Sequence, residues 1–131
     1  MNTEELIRQA KAAREHSYSP YSHFRVGAAL LCGDGTVYTG CNIENAAFSP
    51  TNCAERTAFF KAVSEGHRDF EKIAIAGDKE EYLPPCGVCR QVMLEFVDPS
   101  RFEVVMAGNA DACKVVKLAE LMPESFGSKF F

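Results

Sequence analysis

The sequence predicts an α/β protein of three layers, α/β/α, in which helices cover both faces of a central mixed sheet of five strands. After an initial β-hairpin, short apolar runs of strand character alternate with segments of helical periodicity. The length of 131 residues is typical of one domain, so we expect residues 1–131 to form a single domain. Hydrophobic residues make up 47% of the chain, which is enough for a buried core.

The first part of the chain predicts one helix followed by a hairpin. Apolar residues recur at helical spacing within residues 3–16, and Thr3 is expected to cap this helix. Residues 24–32 are rich in Val, Ala and Leu, as in a buried strand. The Gly-Asp-Gly run at residues 33–35 predicts a tight turn, after which residues 36–43 return as the second strand.

The rest of the chain predicts helices and strands in alternation. A helix is expected over residues 53–65, with Thr51 or Asn52 as its cap and Gly66 at its end. Another is expected over residues 86–97, ending at an Asp-Pro pair. The remaining predicted elements are strands over residues 72–77, 102–107 and 113–116 and a short helix over residues 118–122.

Charge and hydropathy argue against several classes of partner. The net charge is −4 and no run of Lys or Arg occurs, whereas a broad nucleic-acid surface needs clustered basic residues. The N-terminus lacks the basic and apolar regions of a signal peptide. No apolar stretch approaches the roughly 18 residues that a membrane span needs. We therefore expect a cytoplasmic protein with no nucleic-acid or membrane partner.

The most informative motif is a split cluster of cysteines and one glutamate. It consists of Cys-Ala-Glu-Arg at residues 53–56 and Pro-Cys-Gly-Val-Cys at residues 85–89. Both runs fall at the start of a predicted helix, where partial positive charge and unpaired amides favour thiolates. Three thiolates, from Cys53, Cys86 and Cys89, leave one position of a tetrahedral zinc ion open, which is typical of a catalytic site.

Two further residues of this cluster predict its chemistry. Three thiolates leave a zinc site with net negative charge, and Arg56 is expected to offset it by donating hydrogen bonds to the ligand sulfurs. Glu55 is placed to carry a proton from an activated water to a nitrogen of the substrate. The cluster therefore predicts metal-assisted hydrolysis.

Other interpretations of these motifs remain open at this point. A lone Cys-x-x-Cys also suits a redox pair or half a zinc knuckle, and Glu55 can instead close a capping box with Asn52. The chain offers no fourth Cys or His at zinc spacing, which favours an open site. We expect His16, His23 and His67 at the surface or in loops, and Cys32, Cys41 and Cys113 as small buried hydrophobes.

These motifs resemble those of the zinc nucleobase and nucleoside deaminases, in which the first metal ligand and the glutamate precede Pro-Cys-x-x-Cys. With cysteine as first ligand, the chain is similar to the small homotetrameric cytidine deaminases. The resemblance extends to Tyr-Ser-Pro-Tyr-Ser and the following residues at 18–30, to Gly-Cys-Asn-Ile-Glu-Asn-Ala at 40–46, and to Leu-Met-Pro near the end. It covers almost the whole chain and implies a cytidine deaminase-like fold.

The resemblance also implies a role for individual residues. Cys53, Cys86 and Cys89 would bind one zinc ion per subunit. Glu55 would protonate the pyrimidine N3, assist attack at C4 and protonate the departing ammonia. Asn42 and Glu44 would bind the ribose hydroxyls. Phe24 and the Ala54 backbone would contact the base. Phe126, Ala46 and Phe48 would contribute to a pocket across a subunit interface. Taken without the resemblance, Asn42 and Glu44 suit a polar strand end, and Phe24 and Phe126 suit the core.

One position departs from the family. Members of the family commonly have Tyr at the position of Phe48. Phenylalanine lacks the tyrosine hydroxyl, so Phe48 cannot make an inter-subunit hydrogen bond through that group.

The function that the resemblance implies is hydrolytic deamination of cytidine and 2'-deoxycytidine to uridine and 2'-deoxyuridine, with release of ammonia, in pyrimidine salvage. Its implied assembly is a homotetramer with pockets shared between subunits. The nearest alternative is a deaminase of the same fold for another aminopyrimidine, such as a nucleoside antibiotic or a free base. A polynucleotide editor is disfavoured by the acidic composition. A non-catalytic zinc-binding interaction module is the alternative from another class.

Overall fold

The computed structural model describes residues 1–131. Its elements in chain order are α1 (Thr3–Ala13), a 3-10 turn (Arg14–His16), β1 (Gly27–Cys32), β2 (Val37–Cys41), α2 (Ala54–Ser64), β3 (Phe70–Ala76), α3 (Gly87–Phe96), β4 (Glu103–Ala107), β5 (Cys113–Lys117), α4 (Leu118–Leu121) and a final 3-10 turn (Ser128–Phe130). The strands form one sheet in the order β2-β1-β3-β4-β5. Only β3 and β4 run parallel, and the other pairs are antiparallel. With α1 on one face and α2 and α3 on the other, the predicted three-layer fold with a mixed five-stranded sheet is confirmed.

Strand β1 lies inside the sheet and divides its side chains between two cores. All six of its residues are buried, since β2 and β3 flank it and helices cover both faces. Ala28 and Leu30 belong to the core under α2 and α3, whereas Ala29 and Leu31 belong to the core under α1. This alternation follows from the two-residue period of a strand.

Helix α1 packs very closely on the sheet. Leu6 and Ala10 are fully buried against the sheet. A Cβ atom added at Gly27 would lie 1.9 Å from the backbone oxygen of Ala10, so only glycine permits this approach. The first strand therefore begins with the one residue that lets α1 cover it.

Helices α2 and α3 share the other face, and an aromatic cluster holds them there. The ring centroid of Phe59 in α2 lies 5.1 Å from that of Phe70, 6.2 Å from that of Phe96 and 6.0 Å from that of Phe102. Phe59 is fully buried, and burying a side chain of this size stabilises the fold by about 1.5–3 kcal/mol. The cluster brings α2 and α3 side by side and so brings their N-termini together.

Several predicted boundaries and caps are wrong in detail. The first two strands are shorter than expected, because residues 24–26 and 42–43 make contacts outside the β1–β2 ladder. The cap of α1 is Asn2, not Thr3, since the Asn2 Oδ1 accepts from the backbone N–H of Glu5 at 2.8 Å. The cap of α2 is Cys53, because the backbone of Asn52 is paired with that of Ile43 instead.

The cysteines outside the predicted metal site do not share one environment. All six cysteines are free thiols. Cys32 is buried as expected and Cys41 is half-buried, but Cys113 is exposed. The prediction is wrong for Cys113 because β5 is an edge strand with little cover on either face. No helix has both the length and the apolar character needed to cross a membrane.

Candidate metal centre and substrate pocket

Three cysteine sulfurs converge where α2 and α3 begin. Cys53 is the N-cap of α2, Cys86 is the N-cap of α3, and Cys89 lies in the first turn of α3. The three Sγ atoms lie within 4.8 Å of one another, and those of Cys53 and Cys86 are 3.7 Å apart. A tetrahedral zinc ion with zinc–sulfur bonds of about 2.3 Å separates its sulfurs by about 3.8 Å. The cysteines therefore fit zinc with little rearrangement.

The electrostatics of the cluster favour a thiolate at Cys53. A hydrogen bond from the Cys89 thiol lowers the pKa of Cys53 to about 5, in spite of its burial. Arg56 assists, because its Nη2 donates to the Cys53 Sγ at 3.2 Å. The same hydrogen bond, together with burial, raises the pKa of Cys89. The Cys86 Sγ accepts from the backbone N–H of Cys89 at 3.4 Å, as expected at a helix N-terminus.

Glu55 is buried beside this cluster. Its side chain lies in the first turn of α2 and the residue is only 4% exposed. Burial raises the pKa of Glu55 to about 7, and the neighbouring Cys53 thiolate adds to the shift. A capping box is excluded, since the backbone N–H of Asn52 donates to the Ile43 carbonyl at 2.9 Å. A carboxyl group with a pKa near neutrality can both accept and return a proton.

Asn42 follows β2 and is largely buried, with 9% exposure. Its Oδ1 accepts from the backbone N–H of Val26 at 2.9 Å and from the Ser17 hydroxyl at 2.5 Å. Its Nδ2 donates to the Phe24 carbonyl at 2.8 Å. The amide therefore has one N–H left for a ligand, so Asn42 can donate one further hydrogen bond while its oxygen is already occupied.

Glu44 is held as an acceptor by the turn that precedes β1. Its Oε1 accepts from the backbone N–H groups of Tyr21 at 2.9 Å and Ser22 at 3.1 Å, and its Oε2 accepts from the Ser22 hydroxyl. These hydrogen bonds hold the pKa of Glu44 below its usual range, and the one from the Ser22 hydroxyl has the largest effect. Ser17, Tyr21 and Ser22 were not predicted as site residues. Tyr21 and Ser22 lie within residues 18–30, where the sequence resembles the deaminase family, and this resemblance is the sequence signal that could have identified them.

A cavity of about 400 Å³ lies against these residues. It is lined by Tyr21, Ser22, Glu44, Phe48 and Thr51. Its volume falls within the range of small-molecule sites, about 300–1,000 Å³. A larger cavity of about 440 Å³ is lined by none of the predicted site residues and includes Arg68, Asp98 and Arg101. The cavity of about 400 Å³, which Glu44 and Phe48 line but the cysteines and Glu55 do not, is therefore the candidate substrate pocket.

The other predicted contacts occupy different surroundings. Ala54 is fully buried next to Cys53, and Phe24 is partly buried against the core. Ala46 and Phe48 lie in an exposed loop, where Phe48 is 70% exposed and its ring centroid lies 6.1 Å from that of Tyr21.

Phe126 lies outside the candidate pocket of its own chain. It is 60% exposed and its ring stacks on Phe130 at 5.5 Å. Its backbone oxygen accepts from Gln91 Nε2 at 2.9 Å, which holds the C-terminal segment against α3.

Known proteins share both the sequence and the fold of this chain. Residues 1–106 match the family described as the cytidine and deoxycytidylate deaminase zinc-binding region. A cytidine deaminase of Sporosarcina psychrophila is 51% identical over 129 residues, covering 98% of this chain and 94% of the relative. A cytidine deaminase of Halalkalibacterium halodurans is 49% identical over 126 residues, covering 96% of this chain and 95% of the relative. A crystal structure of cytidine deaminase from Burkholderia pseudomallei superposes with a TM-score of 0.93 at 47% identity, covering 96% of this chain and 100% of that one.

Proposed function

Because the chain belongs to the cytidine and deoxycytidylate deaminase family, we propose that it is a hydrolase that deaminates cytidine, with zinc as its cofactor. One observation carries the proposal: three cysteine sulfurs at zinc-like spacing lie beside a buried carboxyl group. When bound, zinc supplies a Lewis acid that makes water nucleophilic near neutral pH. The reaction adds water at C4 of the pyrimidine and releases the amino group as ammonia, leaving the carbonyl of uridine.

Cys53, Cys86 and Cys89 would hold the ion, one per chain. Their sulfurs lie together at two helix N-termini, and the pKa of Cys53 is lowered for the reasons given above. Arg56 would reduce the excess negative charge by its hydrogen bond to Cys53. No His or carboxylate joins these three sulfurs within ligand distance, which keeps one position open for water.

Glu55 would move the protons of the reaction. It would accept one proton from the attacking water and pass it to the pyrimidine N3. It would then take the proton of the new hydroxyl group at C4, as the carbonyl forms, and deliver it to the departing amino group. Burial suits this role, because it raises the pKa of the Glu55 carboxyl group to about 7, where the group can both accept and return a proton.

Asn42 and Glu44 would select a sugar-bearing substrate. Glu44 presents an ionised acceptor and Asn42 presents one free N–H, which together match the donor and the acceptor of a sugar hydroxyl. A free base leaves both groups without a partner, and stranded polar groups are costly. We propose 2'-deoxycytidine as a second substrate. Phe24 and Ala54 would contact the base.

A homotetramer with shared pockets is the assembly that we propose. The support is the exposure of Phe48 and Phe126, which are large apolar side chains beside a pocket and on a C-terminal segment. Residues 46–48 and Phe126 would then complete the pocket of a neighbouring subunit. We further propose that residues 1–131 act as one domain in cytoplasmic pyrimidine salvage. A reducing compartment suits six free cysteines.

The proposal is tested by following the loss of absorbance of cytidine with the fully zinc-loaded protein. Absence of turnover would overturn it, and turnover of cytosine at the same rate would remove the sugar-binding role. Glu55→Gln should retain zinc and lose nearly all activity, because the amide cannot accept the proton. Retained activity in that variant would contradict the role of Glu55. Sedimentation of an active monomer would contradict the shared pocket.

A further inference from the structure

A second group of metal-binding side chains lies at the other end of α2 from the cysteine cluster. Cys32 at the end of β1, Asp34 in the following turn and His67 beyond α2 bring a sulfur, a carboxylate oxygen and a ring nitrogen within 4.8 Å of one another. The 11 residues of α2 separate this group from the cysteine cluster by roughly 16 Å. The proposed deamination uses none of the three.

The donor atoms of Asp34 and His67 are free for a ligand. Asp34 Oδ1 accepts from the backbone N–H of Thr36 at 2.9 Å, which fixes the carboxylate in the turn. Its Oδ2 lies 3.7 Å from His67 Nε2, beyond hydrogen-bonding range but close to the spacing of two ligands on a tetrahedral ion, about 3.4 Å. The other ring nitrogen, Nδ1, is buried and has no hydrogen-bond partner.

The charge and chemistry of the group select a divalent ion of the zinc type. A thiolate, a carboxylate and a neutral imidazole together carry two negative charges, which balance such an ion. Sulfur and nitrogen ligands exclude calcium and magnesium, which require oxygen. Arg68 is the nearby positive charge. Its Nη1 donates hydrogen bonds to the carbonyl oxygens of Val63 at 2.9 Å and His67 at 2.8 Å, so this nitrogen already has protein partners.

The group opens onto a separate cavity of about 310 Å³. Its lining consists of Cys32, Asp34, Gly66, His67, Arg68 and Asp69. This cavity gives an ion a path from solvent and leaves room for a water molecule as the fourth ligand. The Asp69 carboxylate, packed over Gly33, adds negative charge at the same place.

We propose that Cys32, Asp34 and His67 form a second zinc site, one that ties the β1–β2 turn to the loop after α2. Its role is structural, because the ion would join two segments that are 33 residues apart in sequence. Burial, with the charges of Asp34 and Asp69, raises the pKa of Cys32 to about 11. Zinc must therefore displace the thiol proton, which leaves to solvent, so the site is weaker than the cysteine cluster.

The test is the zinc stoichiometry of the full-length protein. The protein is equilibrated with buffered micromolar free zinc, separated by gel filtration and assayed for metal. His67→Phe removes both nitrogens but keeps a ring for the edge-on contact with Tyr38, whose centroid lies 5.2 Å away. Asp34→Asn removes the charge but keeps the turn acceptor. His16→Phe, at an exposed histidine outside the group, is the control.

We expect the wild-type protein and His16→Phe to bind a second equivalent of zinc. His67→Phe should lose it and Asp34→Asn should bind it more weakly, both with unchanged cytidine turnover. A wild-type protein that stops at one equivalent overturns the proposal, and so does a His67→Phe variant that keeps the second. The stoichiometry does not depend on turnover, so the result stands whether or not cytidine is the substrate.

Discussion

Replacing Arg56 by glutamine is expected to weaken zinc binding roughly ten- to hundred-fold. The structure supplies the reason, since Arg56 Nη2 donates to the Cys53 Sγ at 3.2 Å. A hydrogen bond to a charged group contributes about 1.5–3 kcal/mol. At about 1.4 kcal/mol for each factor of ten, the lost affinity is about tenfold to a little over a hundredfold. Glutamine keeps much of the side chain and removes the positive charge.

Competition with a chelator of known zinc affinity measures this effect. Arg101→Gln is the matched control, because Arg101 is exposed and lies outside the cysteine cluster. The wild-type protein and the control should give the same dissociation constant. An Arg56→Gln affinity within twofold of wild type would refute the reasoning, as would an equal loss in the control, which would point to a general charge effect.

Three further predictions follow from the pocket and the core. Ser22→Ala should raise the KM for cytidine several-fold with little change in kcat, because the Glu44 carboxylate loses one of its three hydrogen-bond donors. Ser22→Thr keeps the hydroxyl and should restore the KM. An effect on kcat alone would contradict a substrate-binding role for Glu44. Phe59→Ala should destabilise the fold by about 3–5 kcal/mol in denaturant titration, and a loss below 1 kcal/mol would show that the aromatic cluster is dispensable. Phe126→Ala should raise the KM while the fold is retained by circular dichroism, and an unchanged KM would remove Phe126 from the pocket.

The sequence predicts the order of elements well because each one carries a local signal. Buried runs such as residues 27–32 and 73–76 are apolar, as expected for strands covered on both faces. Helix caps are predicted less well. Neighbouring polar residues compete for the same role, and Asn2 prevails over Thr3 at α1. At α2, the backbone pairing of Asn52 with Ile43 decides the outcome, and no local pattern reports such a contact.

The cysteine cluster and Glu55 could be located from the sequence because these residues are close together in it or share a helix terminus. The contacts of Asn42 and Glu44 could not. Ser22 and Glu44 are 22 residues apart, and Ser17 and Asn42 are 25 apart, so only the fold brings them together. The same limit applies to His67, which spacing alone assigns to a loop. Cys32 and Asp34 are far from His67 in the sequence, and only the packing of α2 on the hairpin brings the three together.

The geometry of the cysteine cluster depends on residues that touch neither zinc nor substrate. A Cβ atom at Gly40 would lie 2.5 Å from the Ala54 carbonyl oxygen, so the start of α2 can approach β2 only because glycine is there. Further along the same helix, Phe59 holds α2 against the aromatic rings beneath α3. Both contacts help to position α2, whose N-cap Cys53 has its sulfur 3.7 Å from that of Cys86. Ion affinity depends on this preorganisation, so a Gly40→Ala change should lower zinc affinity and stability together, whereas Arg56→Gln should lower zinc affinity far more than stability.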